Sequence, residues 1–199
     1  VLMIRPGIKA HSHLHANTAS VLSALSTVQS SKMDALIKTD VKDFYMSGNG
    51  YTLAEHAASF APLQVREAVR SAVLHILTWQ FVSLGGKFFR VTKGSGMGFF
   101  FSGEIADAAF IREMEAPSIL TAGWRQRFGI KFYARYRGDI MMIASCFRPG
   151  WYGELKASWS DFASFHIDEW EISRWAVHFL DVVIFVDPES ADVHSRTLR

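Results

Sequence analysis

Three groups of residues in this sequence have types and spacings that suit chemistry. Asp40 stands near the end of the run 35–41, which opens Ala-Leu-Ile, and Asp43, Phe44 and Tyr45 lie close behind. A glycine-rich run, Gly94-Ser95-Gly96-Met97-Gly98, precedes a stretch of small and apolar residues. Asp139 stands behind Arg137-Gly138, between the apolar runs 130–136 and 140–144. Phosphoryl transfer needs carboxylates delivered from separate strands, because they bind Mg2+, a hard cation that prefers oxygen ligands. Two such ions stabilise the attacking and the leaving oxygen together, and strand ends and hairpin turns are rigid mounts for their ligands. Taken singly, each group also has a plainer reading. An Asp-x-x-Asp pair serves a solvated turn or a helix N-cap. A glycine run is a flexible turn, or a set of bare N–H groups that cradles an anion at a helix start. An acid in a hairpin turn is ordinary turn chemistry. The glycine run is not a dinucleotide fingerprint, since Phe99 stands where the third glycine belongs, and no Gly-Lys-Ser/Thr closes it as a phosphate-binding loop.

The elements that must position these residues follow from periodicity and turn chemistry. The run 35–41 reads as a strand ending on an acid, with Asn49-Gly50 as a turn after it. Residues 53–60 read as a short helix, and Pro62 opens a stronger one carried by Val65, Val69, Val73, Ile76 and Leu77. Residues 81–84 and 87–91 form a hairpin about Gly85-Gly86. Residues 104–115 read as a helix, and 130–136 with 140–144 as two strands about the Arg137-Gly138-Asp139 turn. Residues 151–165 read as helical, and 170–173 with 177–185 as a final strand pair. Near the start, Val21, Leu22, Leu25 and Val28 line a short helix, and Arg5-Pro6-Gly7 marks a turn. Helices and strands mix without strict alternation, which predicts an α+β fold.

Composition narrows the function classes. With 49% hydrophobic and 20% charged residues the chain is ordinary globular material, not a disordered one. A formal net charge of +2 is a weak basic footprint for a nucleic-acid protein. No apolar run reaches membrane-span length, and the start lacks a basic segment followed by an apolar core, so no membrane partner is expected. The single cysteine, Cys146, permits no intrachain disulfide. It reads as a small buried apolar residue in a reducing, intracellular setting, with nucleus and cytoplasm both open. The chain starts on Val1 and reads as a fragment of a longer reading frame.

The order and content of the three groups resemble the reverse transcriptases of retroelements, most of all the Penelope-like and related non-LTR types. The first motif is 38–45, Lys-Thr-Asp-Val-Lys-Asp-Phe-Tyr. The second is Lys93-Gly94-Ser95-Gly96-Met97-Gly98, followed by Ser102-Gly103-Glu104-Ile105-Ala106. The third is 135–140, Arg-Tyr-Arg-Gly-Asp-Ile, and a later Phe179-Leu180-Asp181 is preceded by Glu171-Ile172-Ser173. The resemblance implies an α+β polymerase palm, a small antiparallel sheet backed by helices, with fingers and thumb largely absent. Residues 1–34 become a remnant of the fingers or a linker, 35–187 the palm and 188–199 a tail. It implies catalytic and metal-binding roles for Asp40 and Asp139, with the carbonyl of Val41 completing a Mg2+ shell that Mn2+ also fills. Tyr45 becomes a steric gate against the nucleotide 2′-OH, and Gly94, Met97 and Gly98 hold template base and incoming nucleotide. The partners implied are an RNA template, a DNA primer and deoxynucleoside triphosphates; the oligomeric state stays open.

The sequence departs from the family at Gly138, where the third motif normally has its first aspartate, and at Phe99-Phe100-Phe101, where small or polar residues and a proline are usual. The expected function is therefore RNA-directed DNA synthesis by a two-metal mechanism, impaired by Gly138. The alternative is a non-catalytic nucleic-acid-binding remnant of a retroelement. A viral-type RNA-dependent RNA polymerase shares the palm, but Tyr45 argues against it. His11, His13 and His15 alternate as strand-borne zinc ligands would, with a polar loop as the simpler reading. Trp151, Trp159, Trp170 and Trp175 read as core before base-stacking platforms. Arg125, Arg127, Lys131, Arg135 and Arg137 read equally as a phosphate-contacting cluster or a solvated face.

Overall fold

The computed structural model describes residues 2–197 apart from 33, 146, 147, 160, 163, 188 and 191, so Cys146 lies outside the described residues. In chain order the helices are α1 (Arg5–Lys9), α2 (Thr18–Leu25), α3 (Gly50–Ser59), α4 (Arg66–Thr78), α5 (Ser102–Phe110), α6 (Ala122–Arg127) and α7 (Trp151–Trp159). The strands are β1 (Asp34–Lys42), β2 (Phe81–Leu84), β3 (Lys87–Arg90), β4 (Ile130–Tyr136), β5 (Asp139–Ser145), β6 (Asp161–Phe162), β7 (Phe165–Ser173), β8 (Ala176–Phe179), β9 (Val182–Val186) and β10 (Val193–Thr197). The mixture is α+β with small antiparallel sheets, as expected. Among the described residues no helix is long and apolar enough to cross a membrane. The chain divides into two units, one of residues 12–42, 117–162 and 166–199, the other of 1–11, 43–116 and 163–165.

The first of these units is built on a sheet of order β4-β5-β1-β7-β6. β1 lies inside it, antiparallel to β5 on one side and β7 on the other. Ala35, Leu36 and Ile37 are buried on both faces, which is why the run reads as continuously apolar rather than alternating. Side chains of a strand alternate between faces. One face presents Leu36, Phe132, Ala134, Met141 and Ile143, which pack with Val21 and Leu25 of α2. Val177, Phe179, Val182 and Ile184 of a second sheet, β10-β9-β8, complete that core. The segment read as a tail thus includes an edge strand, β10. On the other face Tyr133, Trp159 and Trp170 form an aromatic chain, with ring centroids 6.0 and 6.5 Å apart.

The start of β1 carries a buried ionic knot. The Asp34 carboxylate accepts from Lys131 Nζ at 2.8 Å, Ser145 Oγ at 2.9 Å, and Ser31 N and Oγ at 2.8 and 3.0 Å. Its side chain is 1% exposed. Burial alone would raise this carboxyl, but the bonds from Lys131, Ser31 and Ser145 outweigh it and hold it below the usual aspartate range. A depressed folded pKa gives stability that is complete above the unfolded value and is lost as pH falls through the folded one. Asp34→Ala is expected to cost about 3 kcal/mol of stability at neutral pH, read by urea unfolding, with the difference shrinking in acid.

The other unit packs α3 and α4 with α5, whose residues are buried all round. Phe44 and Phe165 both pack against Phe110, tilted at 5.9 Å and edge-on at 5.1 Å. Arg5 Nε donates to Glu104 at 2.9 Å and ties α1 to α5. A π-helical turn, Ile111–Glu115, extends α5. In it Glu113 accepts from Ser164 N at 2.8 Å and meets His56 Nε2 at 3.1 Å.

Several elements differ from the sequence reading. Arg5-Pro6-Gly7 begins a helix, because proline suits the first helical turn, where its missing N–H costs nothing. Asn49-Gly50 is a cap and not a free turn: the Asn49 side chain accepts from Thr52 N at 3.0 Å and starts α3. α7 stops at Trp159, and residues from Phe165 onward form β7 beside β1. The run 177–185 is two strands, paired Phe179↔Val182, turned on Leu180 with φ 54°. Left-handed backbone costs a side-chain-bearing residue roughly 1–2 kcal/mol, so a continuous apolar run concealed the turn.

Candidate functional site

Strand register puts four residues in one row at the end of the large sheet. Asp40 is paired with Asp139 of β5 on one side and Glu169 of β7 on the other. Tyr136 is paired with Asp139 in turn. Register partners share a face, so the row is Tyr136, Asp139, Asp40, Glu169. Asp168 pairs with Lys42 Nζ at 3.5 Å, and Lys38, two residues before Asp40 on the same face, meets Glu169 at 3.4 Å.

The turn that delivers Asp139 is held from three directions. Gly138 O accepts from Val41 N at 3.0 Å, stitching the turn to β1. The left-handed residue is Arg137, with φ 56°. Its carbonyl accepts from Arg135 Nη1 at 2.9 Å, and Arg135 is fully buried. The backbone of Arg135 is itself fixed, its N–H donating to His13 O and its carbonyl accepting from His15 N, both at 2.9 Å. Arg135 is therefore a brace for the acid-bearing turn.

Burial pushes both Asp40 and Asp139 above the usual aspartate range. For Asp40, Lys38 opposes the shift while Glu169 and Asp168 add to it. For Asp139, the charge of Asp40 adds most after burial, Lys38 opposes, and Glu169 adds again. Two carboxylates held close repel, and the cost is relieved by a proton or by a cation. Among the described residues no three His, Cys, Asp or Glu side chains converge as a metal-holding group. The donors present fit one Mg2+ ion, which commonly takes one or two carboxylates and completes its shell with water and substrate phosphates. They do not fit a second ion, for which Gly138 offers no carboxylate.

The raised pKa values carry a sign for stability. The folded state holds extra protons just above the ordinary aspartate range, so metal-free stability falls as pH rises through that window. Asp139→Asn is expected to raise the metal-free melting temperature at neutral pH by a few degrees. At a pH below the ordinary aspartate range, where both carboxyls are protonated folded or unfolded, it brings no gain. Paired thermal melts at the two pH values check this.

In the other unit the glycine run wraps around Tyr45. Gly94 N donates to Gly48 O at 2.9 Å, and the N–H groups of Ser95 and Gly96 donate to Tyr45 O at 2.8 and 3.2 Å. Ser95 and Ser102 exchange side-chain-to-carbonyl bonds of 3.1 and 2.9 Å, fastening the loop to α5. These amides are committed to the protein's own carbonyls, so the anion-cradle reading of 94–96 is corrected. What the loop does is fix the backbone of Tyr45, whose half-buried ring lies edge-on to Phe44 at 5.3 Å. Met97 is 78% exposed, and Gly98, with φ 93°, has open space around it. Of the three phenylalanines, Phe101 is buried in the core and Phe100 is exposed.

The remaining candidates separate. His11, His13 and His15 lie on no strand, and the ring of His13 lies tilted against Tyr133 at 5.3 Å. Trp151 and Trp159 are core, whereas Trp175 is exposed. The basic cluster disperses: Lys131 meets Asp34, Arg127 meets Glu154 at 3.5 Å, Arg135 is buried and Arg125 is exposed. Glu169 escaped the sequence reading, Lys38 entered it only as part of the first motif, and Arg135, read as a phosphate contact or a solvated residue, is instead a buried brace. Glu169 becomes Asp40's neighbour through strand pairing over more than a hundred residues, which no local pattern announces.

No family model and no curated protein matches the sequence. Solved structures do. The apo telomerase of Candida tropicalis superposes with a TM-score of 0.72 at 12% identity, over 98% of this chain and 39% of that one. Telomerase of Candida albicans in complex with a fragment of telomeric RNA gives 0.62 at 9% identity, over 98% and 38%. The RNA-dependent RNA polymerase of a human picobirnavirus gives 0.60 at 11% identity, over 96% and 39%. The fold is thus a polymerase palm fold, and the chain spans about two fifths of the length of these neighbours.

Proposed function

We propose that this chain is the palm of an RNA-directed DNA polymerase of reverse-transcriptase type, with a metal centre weakened at Gly138. The observation that supports it most is the register pair Asp40↔Asp139 at the end of the central strands of a palm fold. In nucleotidyl transfer the primer 3′-oxygen bonds to the α-phosphorus of a deoxynucleoside triphosphate as the bond to pyrophosphate breaks. Mg2+ held by Asp40, Asp139 and the Val41 carbonyl would supply stabilisation of the charge on that phosphoryl group. Lys38 tempers the field of the acid row, and the Arg135 brace keeps Asp139 opposite Asp40. Tyr45, fixed through its carbonyl by Ser95 and Gly96, serves as the sugar gate. Met97 and Gly98, exposed at the outer end of the run, contact template and nucleotide, and Gly94 shapes the loop behind them. Tyr45 also favours DNA over RNA synthesis, because an aromatic ring beside the sugar leaves no room for a 2′-OH. The retroelement parentage rests on the sequence motifs alone.

A second reading is a non-catalytic nucleic-acid-binding remnant. It draws on the missing third carboxylate and on loop amides that are already engaged. Primer extension on poly(rA)/oligo(dT) separates the two. The polymerase reading expects weak Mg2+- or Mn2+-dependent extension that Asp40→Ala abolishes; extension unaffected by Asp40→Ala would remove Asp40 from the mechanism.

A further inference from the structure

A cleft of about 800 Å³ runs along the outer edge of β4, between the end of α2 and the segment leading into α6. Its polar lining includes His13, His15, Gln29, Arg125, Lys131 and Tyr133, and among the described residues no carboxylate lines it, although the chain has 19 acidic residues. Arg125 is exposed, and among the described residues its guanidinium has no hydrogen-bond or ion-pair partner. Lys131 reaches the cleft while its ammonium also meets Asp34. Burial and the neighbouring His13 hold His15 below the usual histidine range, against a hydrogen bond to the Ser20 backbone that raises it. The cleft is therefore mildly positive and bordered by the half-buried ring of His13, which lies tilted against the buried ring of Tyr133 at 5.3 Å.

We infer that this cleft binds single-stranded nucleic acid, taking a backbone phosphate on Arg125 and placing a base against the ring of His13. Phosphate contacts by guanidinium groups and stacking of bases on aromatic side chains are the two terms that hold single strands without sequence preference. A volume of this size is at the upper end of small-ligand sites, room for a nucleotide or two rather than a lone phosphate ion. The cleft adds a contact surface that stands apart from the acid row and does not depend on the polymerase reading.

The test is fluorescence anisotropy of a fluorescein-labelled 12-nucleotide oligo(U) RNA against the full chain in EDTA. The native chain is expected to bind. Arg125→Ala should weaken binding about fivefold to tenfold and reduce the slope of log affinity against log salt by about 1. His13→Ala, which removes a ring from the cleft wall, should weaken it with a smaller change in the slope than Arg125→Ala. Binding is read in EDTA, without metal or turnover, so that a failed polymerase reading and a failed cleft are told apart. Affinity and salt slope that are the same in Arg125→Glu as in the native chain would overturn the inference. So would complete displacement of the RNA by millimolar inorganic phosphate, which would mark a small-anion site.

Discussion

Gly138→Asp is expected to raise Mg2+-dependent primer extension by roughly 100-fold over the native chain. Metal stabilisation of the transferring phosphoryl group is worth several kcal/mol, and each 1.36 kcal/mol is a factor of ten, so recovering about half of it gives about two orders of magnitude. The backbone conformation of the turn does not bar a side chain at 138. Its left-handed position falls on Arg137 and not on Gly138, so an aspartate at 138 meets no backbone penalty. The bond from Val41 N to Gly138 O uses only main-chain atoms and survives the change. The added carboxylate also increases the repulsion already visible at Asp40 and Asp139, so the same variant should melt lower without metal and regain stability with it. Initial rates at saturating oligo(dT) primer measure the gain. Equal rates in the two proteins would mean that something other than the absent carboxylate limits the native chain.

The second large effect is on stability. Gly94→Ala is expected to destabilise the protein by roughly 3 kcal/mol or more. Gly94 has φ 76°, a conformation that costs a side-chain-bearing residue about 1–2 kcal/mol by itself. An added Cβ would overlap the Tyr45 carbonyl oxygen and the Met46 Cα, which are backbone atoms that cannot rotate away. Relief would require the loop to leave Tyr45, breaking the bonds from Ser95 N and Gly96 N. Gly98→Ala, with φ 93° but open space, carries the conformational penalty without the overlap, and should cost about 1–2 kcal/mol. Urea denaturation of the two variants side by side separates the overlap from the strain.

Much of the acid site was legible because its elements announce themselves locally. The run 35–41 is apolar enough to be a central strand, and an acid at its end has to sit at the rim of the sheet. The strands about Arg137-Gly138 are apolar on both sides of a two-residue turn, so the acid behind them is delivered to the same rim. The hairpin about Gly85-Gly86 was equally plain, since both glycines supply the positive φ that a tight turn needs. What the sequence hid depends on long-range pairing or on single strained residues. Glu169 joins the row because β7 adds to β1 in one particular register. Leu180 carries a turn without any turn residue. The glycine run looked like a cradle for a ligand, yet its amides turn inward to Tyr45, a choice fixed by the fold of residues 44–50 and invisible in the run itself.

On the proposed reading, Asp40 and Asp139 together hold a divalent cation. Calorimetric titration of the native chain with Mn2+, beside Asp40→Asn and Asp139→Asn, tests it without relying on turnover. One Mn2+ bound by the native chain, with affinity lost in either variant, is the expected result. Mn2+ binding that survives both substitutions, or none in the native chain, would contradict it.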